Sequence, residues 1–179
     1  MIRVDIETII MAGGPMPSVI VLRERGDKSA SEAPLRALSI QTGAFEAASI
    51  GRGIDRPQGE RPITHDLMTD VISKLGGKLE RVEIDRVDAP VFYASLVMAS
   101  AAESEEEAAP TPAAPLEEIR IDARPSDALA LAVRSNAPIY VEDDVMNRAG
   151  SISYQPEGDA EEELERFDAF VESLSPDDF

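Results

Sequence analysis

The feature that most constrains this chain is that its first half recurs in its second. Arg3-Val4-Asp5-Ile6-Glu7 matches Arg81-Val82-Glu83-Ile84-Asp85. Both alternate apolar with charged residues, the period of a strand with one face solvated. A strand expected around residues 18–22 has its counterpart at 91–98. Ser39-Ile40-Gln41 then corresponds to Arg120-Ile121-Asp122. Each is followed by a helical segment, AFEAASI at 44–50 against PSDALAL at 125–131, so that Glu46 aligns with Asp127 and Ile50 with Leu131. Arg61-Pro62-Ile63-Thr64 matches Ala137-Pro138-Ile139-Tyr140, and a second helix follows in each half, at 66–75 and 143–149. Each half therefore reads β-β-β-α-(β)-α, with halves at about 1–78 and 79–150. Two such halves most simply share one α+β core built on a mostly antiparallel sheet.

Local signals support the helices. Thr64 stands where a cap is expected before the 65–75 segment, in which Leu67, Val71 and Leu75 form one stripe with Met68 and Ile72 beside it, and Gly76-Gly77 ends it. Pro125 suits the first turn of the second-half helix, with Arg124 or its neighbour as cap.

The net charge of −18 is unevenly spread. Residues 101–118, an Ala/Glu/Pro-rich stretch without apolar period, carry six acids and no base. Residues 151–179 carry ten acids and one base, leaving only about −3 on the rest. The first stretch reads as a disordered insertion that expands a hairpin tip. Residues 151–160 read as a linker. Residues 161–179 read as an acidic amphipathic helix and tail, with Leu164, Phe167, Phe170, Val171 and Leu174 at helical spacing. Cysteine is absent and His65 is the single histidine, which excludes thiolate sites and multi-histidine metal clusters within one chain. The longest apolar run, 91–102, falls short of the ~20 residues of a membrane helix. MIRVDIETII is not a secretory signal, so a cytoplasmic protein without membrane contact is expected.

No phosphate-binding glycine loop, HExxH or GxSxG is present. Chemistry is left to RPITHDL at 61–67 and DARPSDALALA at 122–132. His65 and Asp66 open a helix, either as first-turn decoration or with His65 as general base or phosphate partner. Asp122, Arg124, Ser126 and Asp127 span a strand end and a helix start, a place that exposes backbone N–H groups to anions. Asp127 either satisfies those donors, with Arg124 paired to Asp122, or joins Asp122 on a divalent metal while Arg124 holds a phosphate. Glu46 is the repeat equivalent of Asp127. Arg52, Arg56 and Arg61 form the best local basic patch, without interleaved aromatics. Asp5, Glu7, Glu83 and Asp85 read as the solvated face of strands.

These motifs, with TGAFEAASI at 42–50, FYASL at 92–96, APIYV at 137–141 and the ELERFDAF…LSPDDF tail, resemble the bifunctional nuclease family of bacteria and plants. The resemblance spans nearly all of residues 2–149 and the tail helix. Departures are Gln41 where an aromatic is usual, Ala44 where proline is usual, and the 101–118 insertion. The resemblance implies an α+β homo-oligomer, dimer or trimer, and a nuclease acting on DNA and RNA. It places the family's polar residues on Glu46, His65, Asp66, Asp122, Arg124, Ser126 and Asp127. On this reading His65, Asp66, Asp127 and Glu46 are catalytic, Arg124, Ser126 and Arg61 bind substrate, and Asp122 and Asp127 hold Mg²⁺ or Mn²⁺. Low net basicity implies weak, salt-sensitive nucleic-acid binding. The alternative is a non-catalytic oligomeric module whose motifs are caps and subunit contacts and whose tail helix binds a protein partner.

Overall fold

The computed structural model describes residues 1–13, 16–26, 34–56, 61–100 and 118–152. Most of the acidic insertion, most of the expected linker, and the expected tail helix lie outside the described residues.

The chain runs β1 (Ile2–Ile10), β2 (Ser18–Glu24), β3 (Arg36–Thr42), α1 (Ala44–Asp55), α2 (Thr64–Lys74), β4 (Gly77–Asp88), β5 (Val91–Ser100), β6 (Glu118–Ala123), α3 (Pro125–Ser135), β7 (Ile139–Val141), α4 (Asp143–Ala149) and β8 (Gly150–Ile152). The fold is α+β. All eight strands form one mixed, mostly antiparallel sheet in the order β6-β5-β4-β7-β1-β2-β3-β8. β1-β2-β3 and β4-β5-β6 are two antiparallel meanders, and the first strand of each borders β7. β7 is antiparallel to β1 and parallel to β4, so the two meanders run in opposite senses on either side of it. This arrangement is consistent with the repeat. The β5–β6 hairpin forms with Ala94 opposite Ala123 and Ala99 opposite Glu118.

The halves differ where only one of them can have what both sequences offer. Ile139–Val141 fills the slot between the meanders. Its first-half counterpart, residues 63–65, forms no strand and instead makes the cap and the first two residues of α2. One central slot accepts one strand, and the second-half segment takes it.

The core comes from alternate strand positions, among them Val4, Leu22, Leu38, Val82, Ile84 and Leu96, closed by Ile50 of α1, Leu129 and Leu131 of α3, and Met146 of α4. The run Ala128, Leu129, Ala130, Leu131, Ala132 is at most 2% exposed, so α3 is covered on all sides. Such a helix must be apolar all round, and its small alanines allow α1 and α2 to pack on it while it packs on β4 and β5.

Three local expectations need correction. Thr64 lies inside α2 and Ile63 is the cap residue; the Asp66 carboxylate satisfies the Ile63 N–H at 2.9 Å, so the anchor comes from within the helix. The Leu67, Val71 and Leu75 stripe does not enter the core: α2 has no buried residue, and only Ile72 reaches the packed interior. On the sheet, Glu83 is not solvated but fully buried. It accepts from Arg81 Nε at 2.6 Å and from the Arg120 guanidinium. Val97 lies directly opposite both arginines in register and is fully buried between their stems. Burial pushes the Glu83 carboxyl up, but Arg120 and Arg81 outweigh it and leave it below the ordinary range.

Candidate active site

α1 and α3 present their first turns side by side, and the first turn of α2 is pinned against both. Glu46 and Asp127 each occupy the third residue of their helix, as the repeat register requires. Gly43, the cap of α1, leaves the space into which the Glu46 side chain folds; a Cβ there would collide with that carboxylate. At the equivalent cap of α3 stands Arg124, followed by Pro125. Its guanidinium binds Asp127 through Nε (2.7 Å) and Nη2 (3.0 Å), and Glu46 through Nη1 at 3.5 Å. Repeat-related carboxylates therefore share one arginine.

His65 reaches the same cluster from α2. Its Nε2 lies 3.3 Å from Asp127 Oδ1 and its Nδ1 2.8 Å from Ser49 Oγ. A carboxylate only accepts, so a neutral imidazole serves both contacts with its proton on Nε2, toward Asp127. Ser49 O–H then donates to Nδ1. Arg124 holds the Asp127 carboxyl below its ordinary range; burial opposes this and His65 adds to it. The Arg124 guanidinium is pushed up, mainly by Asp127. These groups line an open cavity of about 220 Å³ with Phe45, whose ring is 91% exposed.

The other expected residues fall elsewhere. Asp66 faces away from His65, toward Arg134, whose Nε donates to Asp66 Oδ1 at 2.5 Å. Burial pushes the Asp66 carboxyl up, but the Ile63 N–H and Arg134 together hold it below its ordinary range. Ser126 is buried and lines a neighbouring cavity of about 400 Å³ together with Glu46 and Arg124, which walls it from the His65 cavity. Arg61 lines a third cavity with Asp66. Asp122 is exposed on β6 opposite Ser95, and it takes no part in the Asp127 cluster.

Asp122, expected with Asp127 to hold Mg²⁺ or Mn²⁺, makes none of the contacts that join Asp127, Glu46, Arg124 and His65. Among the described residues no group of three or more His, Asp or Glu side chains is arranged around a cation. The positive group between the nearest carboxylates, Glu46 and Asp127, is Arg124. A hard cation, which needs several oxygen ligands, does not fit that donor set as arranged.

Sequence reasoning missed Ser49, Arg134 and Phe45. Ser49 and Phe45 sit inside the TGAFEAASI motif, and their repeat-aligned positions in α3 are Ala130 and Ser126, so the register gave no polar or aromatic signal. Arg134 looks in sequence like a cation in the last turn of a helix, favourable to the dipole on its own account.

Comparison with known proteins agrees with the motifs. The bifunctional nuclease domain family model matches residues 21–153. Two uncharacterized proteins of Mycobacterium tuberculosis, from strains CDC 1551 / Oshkosh and ATCC 25618 / H37Rv, are each 37% identical to this chain over 172 residues. Those alignments cover 90% of this chain and 87% of each relative.

Proposed function

The chain belongs to the bifunctional nuclease domain family, and on that premise we propose that it is a nuclease that cleaves phosphodiester bonds of DNA or RNA at the His65 cluster. The observation that carries this reading is the single histidine engaged at both ring nitrogens, by Ser49 and Asp127, beside an arginine at an open cavity. A base oriented by a carboxylate, with a hydroxyl on its other nitrogen, is the arrangement that moves protons to and from an attacking oxygen.

The steps use this chain's own residues. Arg124 is 65% exposed along its side chain and can turn from the carboxylates onto the non-bridging oxygens of a phosphate. That movement leaves Asp127 free to balance an imidazolium. The attacking oxygen, from water or a ribose 2′-hydroxyl, gives its proton to Ser49 Oγ as Ser49 gives its own to His65 Nδ1. The imidazolium returns a proton to the departing oxygen by the same route. Ser49 is 9% exposed, which suits a relay better than a nucleophile that must itself reach phosphorus. Phe45 offers an exposed ring on which a neighbouring base can stack. Acid–base catalysis of this kind contributes about 10²–10⁴-fold in rate.

The test is cleavage of single-stranded RNA and DNA by protein purified in parallel as wild type and as Asp127→Asn, each with Mg²⁺, Mn²⁺ or EDTA. Cleavage lost in the variant with its fold retained supports the reading. Equal cleavage in both defeats it. The EDTA arm decides whether cleavage needs a divalent ion.

A second reading, a non-catalytic homo-oligomeric module, draws on the outer face of α2. Leu67, Val71 and Leu75 are 56%, 46% and 82% exposed there. Such a stripe on one helix face is the kind of surface that a second copy can cover. Absence of cleavage together with a dimer or trimer in sedimentation would favour it.

A further inference from the structure

The cavity on the other side of the α2 first turn carries an independent signal. It has a volume of about 420 Å³ and is lined by Arg52, Arg56, Arg61 and Arg134 against Asp66 and Asp70, a formal +2 on a chain of net −18. Arg134 is the built-in part. Its side chain is only 6% exposed. Its Nε is bound to Asp66, and its Nη1 donates to the carbonyls of Ser49 (3.0 Å) and Ala130 (2.9 Å). Nη2 is buried with no hydrogen-bond partner. An orphan N–H on a charged group is costly, and Arg134 is one of the residues that line this cavity. Gly53 makes the room: a Cβ there would stand 2.6 Å from Arg134 Nη1.

Arg56 points the same way. It caps α1 with φ 46°, the left-handed region, where glycine or asparagine is the easy choice. The equivalent cap of α3 is Asn136, with φ 52°. The arginine stands in an unfavourable backbone position while its Nη2 is tied to Val133 O (3.1 Å) and Asn136 Oδ1 (2.7 Å), which fixes the guanidinium at the cavity wall. Among the described residues no aromatic side chain lines the cavity, so they offer nothing on which to stack a base.

We propose that this arginine-lined cavity is a phosphate-binding site, separate from the His65 cavity and blind to base identity. Its place follows from the α2 first turn: adjacent residues His65 and Asp66 face the two cavities, and Ser49 joins them, its hydroxyl on His65 and its carbonyl on Arg134. The phosphate belongs either to a nucleic-acid strand or to a free nucleotide or inorganic phosphate. Only the first source rests on the nuclease reading.

The test measures binding in EDTA, where no cleavage is required. Probes are inorganic phosphate, adenosine 5′-monophosphate and a fluorescent 12-nucleotide oligothymidylate. The full chain is compared with Arg56→Gly/Arg61→Ala, in which glycine suits the left-handed cap, and with Arg61→Ala alone should the double variant melt early. The site predicts at least a 10-fold loss of affinity for one or more probes. For the oligonucleotide, the slope of log K against log salt becomes about 1.4 shallower in the double variant, at roughly 0.7 per phosphate contact on a single strand. Loss confined to the oligonucleotide identifies a strand phosphate; loss with the small probes identifies a free one. The proposal is overturned when wild type binds none of the three, or when a folded variant binds all of them as wild type does. Phosphate binding lost in the variant without any cleavage by wild type would keep this site and defeat only the nuclease reading.

Discussion

Replacing Arg134 by methionine tests whether that side chain ties the three helices together. The substitution keeps an apolar stem of similar length and removes the guanidinium. Three interactions go with it. The charged hydrogen bond to Asp66 is of a class that contributes about 1.5–3 kcal/mol; the Asp66 side chain is 37% exposed, so solvent reduces this to about 1 kcal/mol. The bond to Ser49 O contributes about 1 kcal/mol, since that carbonyl lies where α1 meets α3. The bond to Ala130 O matters least, as it runs within one turn of the same helix. Removing the orphan Nη2 returns part of the loss. Arg134→Met is therefore expected to destabilise by about 2 kcal/mol, well short of the ~3–5 kcal/mol of a fully buried pair broken on one side. Urea unfolding followed by far-ultraviolet circular dichroism, at one protein concentration, gives the number, and an unchanged m-value shows that the transition is comparable. Asp66→Asn and the double variant complete a cycle in which the coupling is about 1 kcal/mol. A loss below about 0.5 kcal/mol, or no coupling, would refute the view that Arg134 anchors α2 through Asp66.

Phe45→Ala should weaken single-stranded oligonucleotide binding by about 1–3 kcal/mol per stacked base and leave the urea midpoint unchanged, as fluorescence anisotropy and unfolding together will show. Asp127 has a folded pKa below its ordinary 3.8, so its stabilising contribution is fully present above that value and is lost as pH falls through the lower folded one. Unfolding free energies measured across pH 2–5 should thus fall less steeply in Asp127→Asn than in wild type. Glu83→Ala strips the shared acceptor from Arg81 and Arg120 and uncovers Val97. Because both arginines can re-enter water, about 2 kcal/mol is expected in urea unfolding, and a neutral result would show that the buried carboxylate contributes nothing net.

The repeat made the fold legible because strand and helix periodicities are local properties, written in residues such as Val82 and Ile84 or Ala128 and Leu131. It also aligned Glu46 with Asp127, which the structure brings to one arginine. What stayed hidden depends on three-dimensional competition. The single slot beside β1 and β4 decides between residues 63–65 and 139–141, and no local pattern reports that contest. Glu83 alternates like its neighbours, yet two arginines from β4 and β6 close over it. Arg134 and Ser49 lie 85 positions apart, and only helix packing joins them. The stripe of Leu67, Val71 and Leu75 on α2 likewise has the spacing of a helix face, but spacing does not say which way that face turns, and it faces outward.

The most direct test of the account is the cleavage rate of His65→Asn against wild type, purified in parallel and assayed on the same single-stranded substrate. His65 is the single histidine, so the substitution removes every imidazole from the chain. The rate is expected to fall at least about 100-fold with the fold retained. Equal rates in the two proteins would contradict it and move the chemistry, or the protein's role, away from the His65 cluster.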